Sequence, residues 1–139
     1  MSQEDVEVAR AAIDAFNGRD LAAMTQRFDP EIEWAPGGPA AVERAVYRGR
    51  DDVSNGFAAT WEAWDLFRME ESEVLDLGDS VLWLGRAQMR GGASHVELDQ
   101  EFAVHFIVRG GKIFRAQGFL AGQDALEAAG LRDDEAGHR

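Results

Sequence analysis

The chain has 139 residues, 45% of them hydrophobic and 29% charged, which fits one soluble globular domain and is too short for two ordinary ones. It contains no cysteine, so disulfides, thiolate metal sites and thiol nucleophiles are excluded. The formal net charge of -12 repels nucleic acid and anionic membrane surfaces, and it disfavours strongly anionic substrates unless a local basic pocket overrides it.

The first residues, Met1-Ser2-Gln3-Glu4-Asp5, lack the basic-then-apolar order of a signal peptide, and no apolar run approaches transmembrane length. The default expectation is a cytoplasmic protein. Ser2 and Asp5 read as a capping box opening a first helix, with Val6, Ala9, Ile13 and Phe16 along one face. Asn17-Gly18 stops it. Asp20 caps a short second helix carrying Leu21, Met24 and Phe28 on one face, and Asp29-Pro30 ends it, because a residue before proline avoids the helical region.

Glu31-Ile32-Glu33-Trp34 alternates as a short strand does, and Pro36-Gly37-Gly38-Pro39 breaks it. The stretch to Arg50 carries Glu43, Arg44, Tyr47 and Arg48 and reads as a loop over a cavity mouth. Asp51 or Asp52 caps a third helix whose Val53, Phe57, Trp61 and Trp64 form one aromatic stripe. Strands follow over 67–77, 81–90, 96–108 and 112–119. Gly78-Asp79 and the flexible Gly91-Gly92-Ala93-Ser94 separate the first three. Arg109-Gly110-Gly111-Lys112 makes a tight hairpin turn, since paired glycines accept the positive φ it needs. A closing helix over 123–129 ends at Gly130, and residues 133–139 form a polar frayed tail beyond a single domain of 1–132. Helices first, then mostly antiparallel strands, make the fold class α+β.

Several stretches carry a resemblance: AIDAFNGRDLAAMTQRFDPEIEW near the start, YRGRDDV, LDLGDSVLWLGR, GGKIFRAQGF and the ending DALEAAGL. In their order the chain resembles the SnoaL-like family of the nuclear-transport-factor-2-like, cystatin-like superfamily, over about residues 5–131. That resemblance implies a strongly bent mixed, largely antiparallel sheet wrapped around N-terminal helices, with a cone-shaped pocket between them. It also implies a homodimer through the sheet's outer face. The superfamily holds ketosteroid isomerases, polyketide cyclases, epoxide hydrolases, dehydratases and members without known activity. Many SnoaL-like members place an acid or base in a Tyr-x-Asp after the last strand; here the text is Phe119-Leu120-Ala121, so the carboxylate is missing. Fold alone does not give function.

Residues two apart on a strand share a face, so His95, Glu97, Asp99, Glu101 and His105 lie on one side and Leu98, Phe102, Val104, Phe106 and Val108 on the other. In one reading Glu101 and His105 reach the pocket as a carboxylate–imidazole pair, suited to general-base work. In the other, this polar face is solvated or lies in a dimer interface. A metal on His95, Glu97 and Asp99 needs further ligands from elsewhere, and no metal site is assigned.

Trp34, Phe57, Trp61 and Phe119 are candidate pocket walls, against plain core packing. Arg86, in an otherwise apolar strand, holds either a ligand oxyanion or a carboxylate of a neighbouring strand. Gln117 faces either a ligand carbonyl or a backbone group.

Two functions stand side by side. One is cofactor-free proton transfer of isomerase, cyclase or dehydratase type on an apolar carbonyl compound. There His105 is the base, Glu101 orients it, and Arg86 or Gln117 faces the developing oxyanion. The other is a non-catalytic module for ligand binding or dimerisation. Either way the expected partners are a small apolar or aromatic ligand and a second copy of the chain. No cofactor, nucleic acid or membrane is expected.

Overall fold

The computed structural model describes residues 2–37, 46–91 and 95–120. In chain order the elements are α1 (Ser2–Asn17), α2 (Leu21–Thr25), β1 (Phe28–Ala35), β2 (Tyr47–Arg48), α3 (Arg50–Ala63), β3 (Trp64–Asp76), β4 (Val81–Gly91), β5 (Glu97–Arg109) and β6 (Lys112–Phe119). The class is α+β. One six-stranded mixed sheet runs β2-β1-β6-β5-β4-β3, with β1–β6 parallel and every other pair antiparallel. Residues 38–45 of the expected loop to Arg50 fall outside the described residues, as do the stretches expected to form a closing helix and a polar tail, and the side chain of Ser2.

Local chemistry explains the element ends. Val6, Ala9, Ile13 and Phe16 of α1 are buried, as their helical spacing requires. Asn17 ties the end of α1 to β3: its side-chain amide donates to the Met69 carbonyl at 2.9 Å and accepts from the Met69 N–H at 2.8 Å. Asp20 caps α2 by accepting from the Ala23 N–H at 3.1 Å. Gly110 and Gly111, at φ 54 and 79, make the β5–β6 turn that their pairing predicts.

Four local expectations are corrected. Phe28 is not on α2; a turn at Gln26–Arg27 ends that helix and Phe28 opens β1. Asp29-Pro30 then lies within the strand. It is tolerated there because the β1–β6 register is interrupted between Phe28 and Glu33, so the missing proline N–H leaves no ladder bond unmade. Trp64 has left helix α3 and starts β3, at φ -120 and ψ 125. The Arg19 guanidinium takes the carbonyls of Trp61, Trp64 and Asp65 at 2.9, 2.7 and 3.1 Å, occupying acceptors that the helix end leaves open. The N-cap of α3 is Gly49 at φ 87, not an aspartate, while the Asp52 carboxylate accepts from the Arg48 N–H at 2.9 Å. Tyr47–Arg48 is a short strand rather than loop, and Arg48 meets Glu33 directly across β1 in a 3.2 Å ion pair.

The helices lie against one face of the sheet. Register shifts in β1, β3 and at the β5–β6 pairing bend that face around them. Close approach needs small residues at Gly85 and Gly56, among other points. A Cβ on Gly85 would meet the Glu70 carbonyl and the Trp83 ring, and one on Gly56 would press on the Tyr47 ring at 2.8 Å. No helix among the described residues is long and apolar enough to cross a membrane.

Candidate functional site

The inner face and the helices enclose one apolar cavity. Helix α1 supplies Ala12, Ile13 and Phe16; α2 supplies Met24; α3 supplies Phe57. From the sheet come Phe28, Ile32 and Trp34 of β1, Phe67 and Met69 of β3, Phe102, Val104 and Phe106 of β5, and Ile113, Ala116 and Gly118 of β6. Pro36 completes the lining. No ionisable side chain among the described residues reaches it.

The free space is about 60 Å³. Pockets that hold drug-sized ligands run to roughly 300–1,000 Å³, so this space suits a single small ring rather than a fused-ring compound.

Aromatic rings fill much of the interior against one another. Trp34 stacks on Phe57 at 3.9 Å between centroids and on Tyr47 at 5.3 Å, and Phe57 stacks on Trp61 at 6.0 Å. Phe16 meets Phe57, Trp61 and Phe67 at 5.8, 5.7 and 5.0 Å. Trp34 and Phe57 therefore serve as cavity wall and as core at once. Trp61 is buried behind Phe57 and does not line the cavity.

The other residues singled out from the sequence lie on the opposite face of the sheet. The alternation of β5 decides this: Phe102, Val104 and Phe106 point into the cavity, so Glu101, Ala103 and His105 point away. Glu101 is exposed and has Arg86 as its cross-strand neighbour. His105 lies between Leu82 and Gln117. Glu101 and His105 are four residues apart on one strand, roughly 13 Å of rise, too far for a direct carboxylate–imidazole bond.

Arg86 pairs with a neighbouring strand. Its Nε donates to the Asp99 carboxylate at 2.8 Å and one terminal nitrogen donates to the Asp99 carbonyl at 3.0 Å. Both side chains are well exposed, so this is a surface ion pair of modest strength. The same contact engages Asp99, one of the three residues weighed as metal ligands. The Gln117 side-chain oxygen accepts from Arg115 at 3.1 Å. Phe119 sits opposite Ala103 and packs with the outer cluster.

That outer cluster is apolar at its centre. Leu82 and Ala103 are fully buried, surrounded by partly exposed Leu75, Leu77, Leu84 and Phe119. His105 borders it, half-buried, with Nε2 lacking a hydrogen-bond partner among the described residues. Burial lowers the His105 pKa from its ordinary value, Arg115 lowers it further, and Asp79 opposes both. The neutral imidazole is thereby favoured over the imidazolium.

The cavity residues that sequence reasoning left out are chiefly Val104, Phe106, Met69 and Ile13. For Val104 and Phe106 the signal was present in the Phe102-Val104-Phe106 alternation, an apolar face that had to be buried against something.

A SnoaL-like domain model matches residues 9–116. The chain belongs to the SnoaL-like family. An uncharacterised protein of Mycobacterium tuberculosis is 32% identical over 126 residues, covering 89% of this chain and 94% of that protein. Among solved structures, TerC co-crystallised with polyporic acid superposes with a TM-score of 0.73 at 17% identity, over 89% of this chain and 96% of that one. A putative polyketide cyclase from Xanthomonas campestris gives 0.74 at 18% identity, over 91% and 96%. At these identities the likeness is one of fold: three helices packed on a six-stranded mixed sheet, the nuclear-transport-factor-2-like arrangement.

Proposed function

We propose that this SnoaL-like chain is a non-catalytic binding module. It holds a small, neutral, apolar ligand of about one ring in the inner cavity and pairs as a homodimer through the outer face of its sheet. One observation carries the ligand half: every described residue around the cavity is apolar or aromatic, and Trp34 alone contributes a polar side-chain atom. A charged or strongly polar ligand placed there would lose its hydration without recovering hydrogen bonds, at a cost of several kcal/mol or more.

Proton transfer on a carbonyl compound needs an acid or base at the bound ligand. His105 and Glu101 lie across the sheet from the cavity, and Arg86 is engaged by Asp99. The fold relative bound to polyporic acid supports small-molecule binding by this architecture, without carrying its ligand over to this chain.

The dimer half is supported by the outer apolar cluster around Leu82 and Ala103, a patch whose rim of Leu75, Leu77, Leu84 and Phe119 is only partly covered. Two copies meeting there would bury the same patch on both sides, as a two-fold interface requires.

The test is a fluorescence titration with toluene and benzoate, two ring compounds differing in charge. Toluene is expected to saturate the intrinsic tryptophan signal, benzoate to leave it unchanged, and Val104→Phe to abolish the toluene response by filling the space. Equal binding of benzoate, or a toluene response lost in His105→Ala and kept in Val104→Phe, would refute the reading.

A further inference from the structure

A second site lies on the surface, at the junction of α2, β1, α3 and β6. An open groove there is lined by Leu21, Ala22, Thr25, Arg27, Arg50 and Lys112, among others, and by no carboxylate among the described residues. In a chain with 26 acidic and 14 basic residues, three cations lining one groove with no acidic partner among the described residues are an exception to the chain's own composition.

Their convergence is built by the backbone. The carbonyls of Gln26, Arg27 and Phe28 each receive a donor from another element. Lys112 Nζ donates to Gln26 at 2.6 Å, and the Ile113 N–H donates to Arg27 at 2.6 Å. Arg50 donates to Phe28 through Nε at 3.0 Å and a terminal nitrogen at 2.8 Å. The outer two carbonyls are at most about 7 Å apart along the chain. Two cationic heads are therefore anchored beside the residue that bears the third.

The anchors are neutral carbonyls, which position the positive charges without cancelling them. Arg27 itself makes no side-chain hydrogen bond or ion pair among the described residues. Like charges held together in this way repel one another, and an anion between them relieves that repulsion.

We propose that this groove binds a dianionic phosphate group, as inorganic phosphate or as the phosphate monoester of a small organic molecule. Phosphate suits the donor set. Its oxygens accept from the planar fork of Arg27 and from the donors that Arg50 and Lys112 keep free after binding their carbonyls. Leu21 and Ala22 give an apolar wall beside the charges, against which the organic part of an ester packs. The site is separate from the inner cavity: no described residue lines both.

The experiment is an amide-resolved NMR titration of the full chain at low salt with inorganic phosphate, phenyl phosphate and acetate. Phosphate and phenyl phosphate should bind saturably, with shifts centred on Thr25, Arg27, Arg50 and Lys112, and acetate should not saturate. Tighter binding of phenyl phosphate assigns the site to an ester, and equal binding assigns it to the free ion; both support the phosphate site. Arg27→Gln removes a side chain with no structural bond and should weaken binding about tenfold, the scale of one lost charge-assisted hydrogen bond. Arg27→Lys should recover most of that loss, and Arg90→Gln, an exposed cation elsewhere, should change it less than twofold. Absence of saturable phosphate binding by the folded protein overturns the proposal. So do equal losses in Arg27→Gln and Arg90→Gln, which would reduce the effect to net charge.

Discussion

The two faces of strand β5 differ in the kind of contact they offer. On the inner face, Phe102, Val104 and Phe106 meet helices of the same chain around an apolar cavity. On the outer face, Ala103 is buried by Leu82 and Phe119, while His105 and Glu101 lie toward the rim. Both faces have apolar centres, so polarity alone does not tell pocket from surface. What separates them is packing: helices cover one, and the other ends in partly exposed leucines. Among the described residues the ionisable groups are placed where charge is cheap to solvate, and the cavity is left without them.

The sharpest break of this contrast is Phe57→Ala. Phe57 packs against Phe16, Phe28, Trp34 and Trp61, so its loss should cost about 3–5 kcal/mol in urea unfolding, independent of protein concentration. A loss under about 1 kcal/mol would mean the inner aromatic stack is not the core it is described as.

Gly118→Ala is a smaller intrusion on the same face. The added Cβ would meet the Pro36 carbonyl and the Phe102 ring, and overpacking of this kind costs roughly 1–3 kcal/mol. It should also weaken toluene binding, because Gly118 lines the cavity.

On the outer face the expected readout changes from stability to assembly. Leu84→Arg should leave the subunit's own stability within about 1 kcal/mol of wild type and convert the dimer to monomer in sedimentation equilibrium. A wild-type chain that is monomeric at all concentrations would remove the dimer half of the proposal.

The smallest effect is the pH dependence of His105. Its folded pKa is lowered, so the native state resists a proton that the unfolded chain accepts. Stability from this group is therefore complete above the ordinary histidine value of about 6.5 and declines as pH falls through it, levelling off below the folded pKa. The difference in unfolding free energy between wild type and His105→Gln should show this loss between about pH 7.5 and 5.5. A flat difference would mean that the imidazole is solvated.

Much of the fold was legible because it rests on local rules: the spacing of Val6, Ala9, Ile13 and Phe16, the Asp20 cap, and the Gly110-Gly111 turn. Its errors fell where contacts distant in sequence override local preference. Phe28 is drawn into a strand by pairing with Ile113 of β6, Asp29-Pro30 follows it through the interrupted part of that register, and Trp64 follows the Arg19 guanidinium that holds the end of α3. The site was harder to read for a related reason. Period two sorts residues into faces but does not name the covered one, and His105 drew attention as chemistry when its face was the outer one. The basic groove was invisible for a third reason: Arg27, Arg50 and Lys112 are far apart in sequence and meet only through the 26–28 carbonyls.

The ligand site proposed here is the apolar inner cavity and not the polar face behind it. A crystal soaked in bromobenzene tests it directly through the anomalous signal of the bromine. The expected result is a bromine among Trp34, Phe57, Val104 and Phe106. A bromine found solely against Leu82 and Phe119, or none anywhere in the protein, would contradict it.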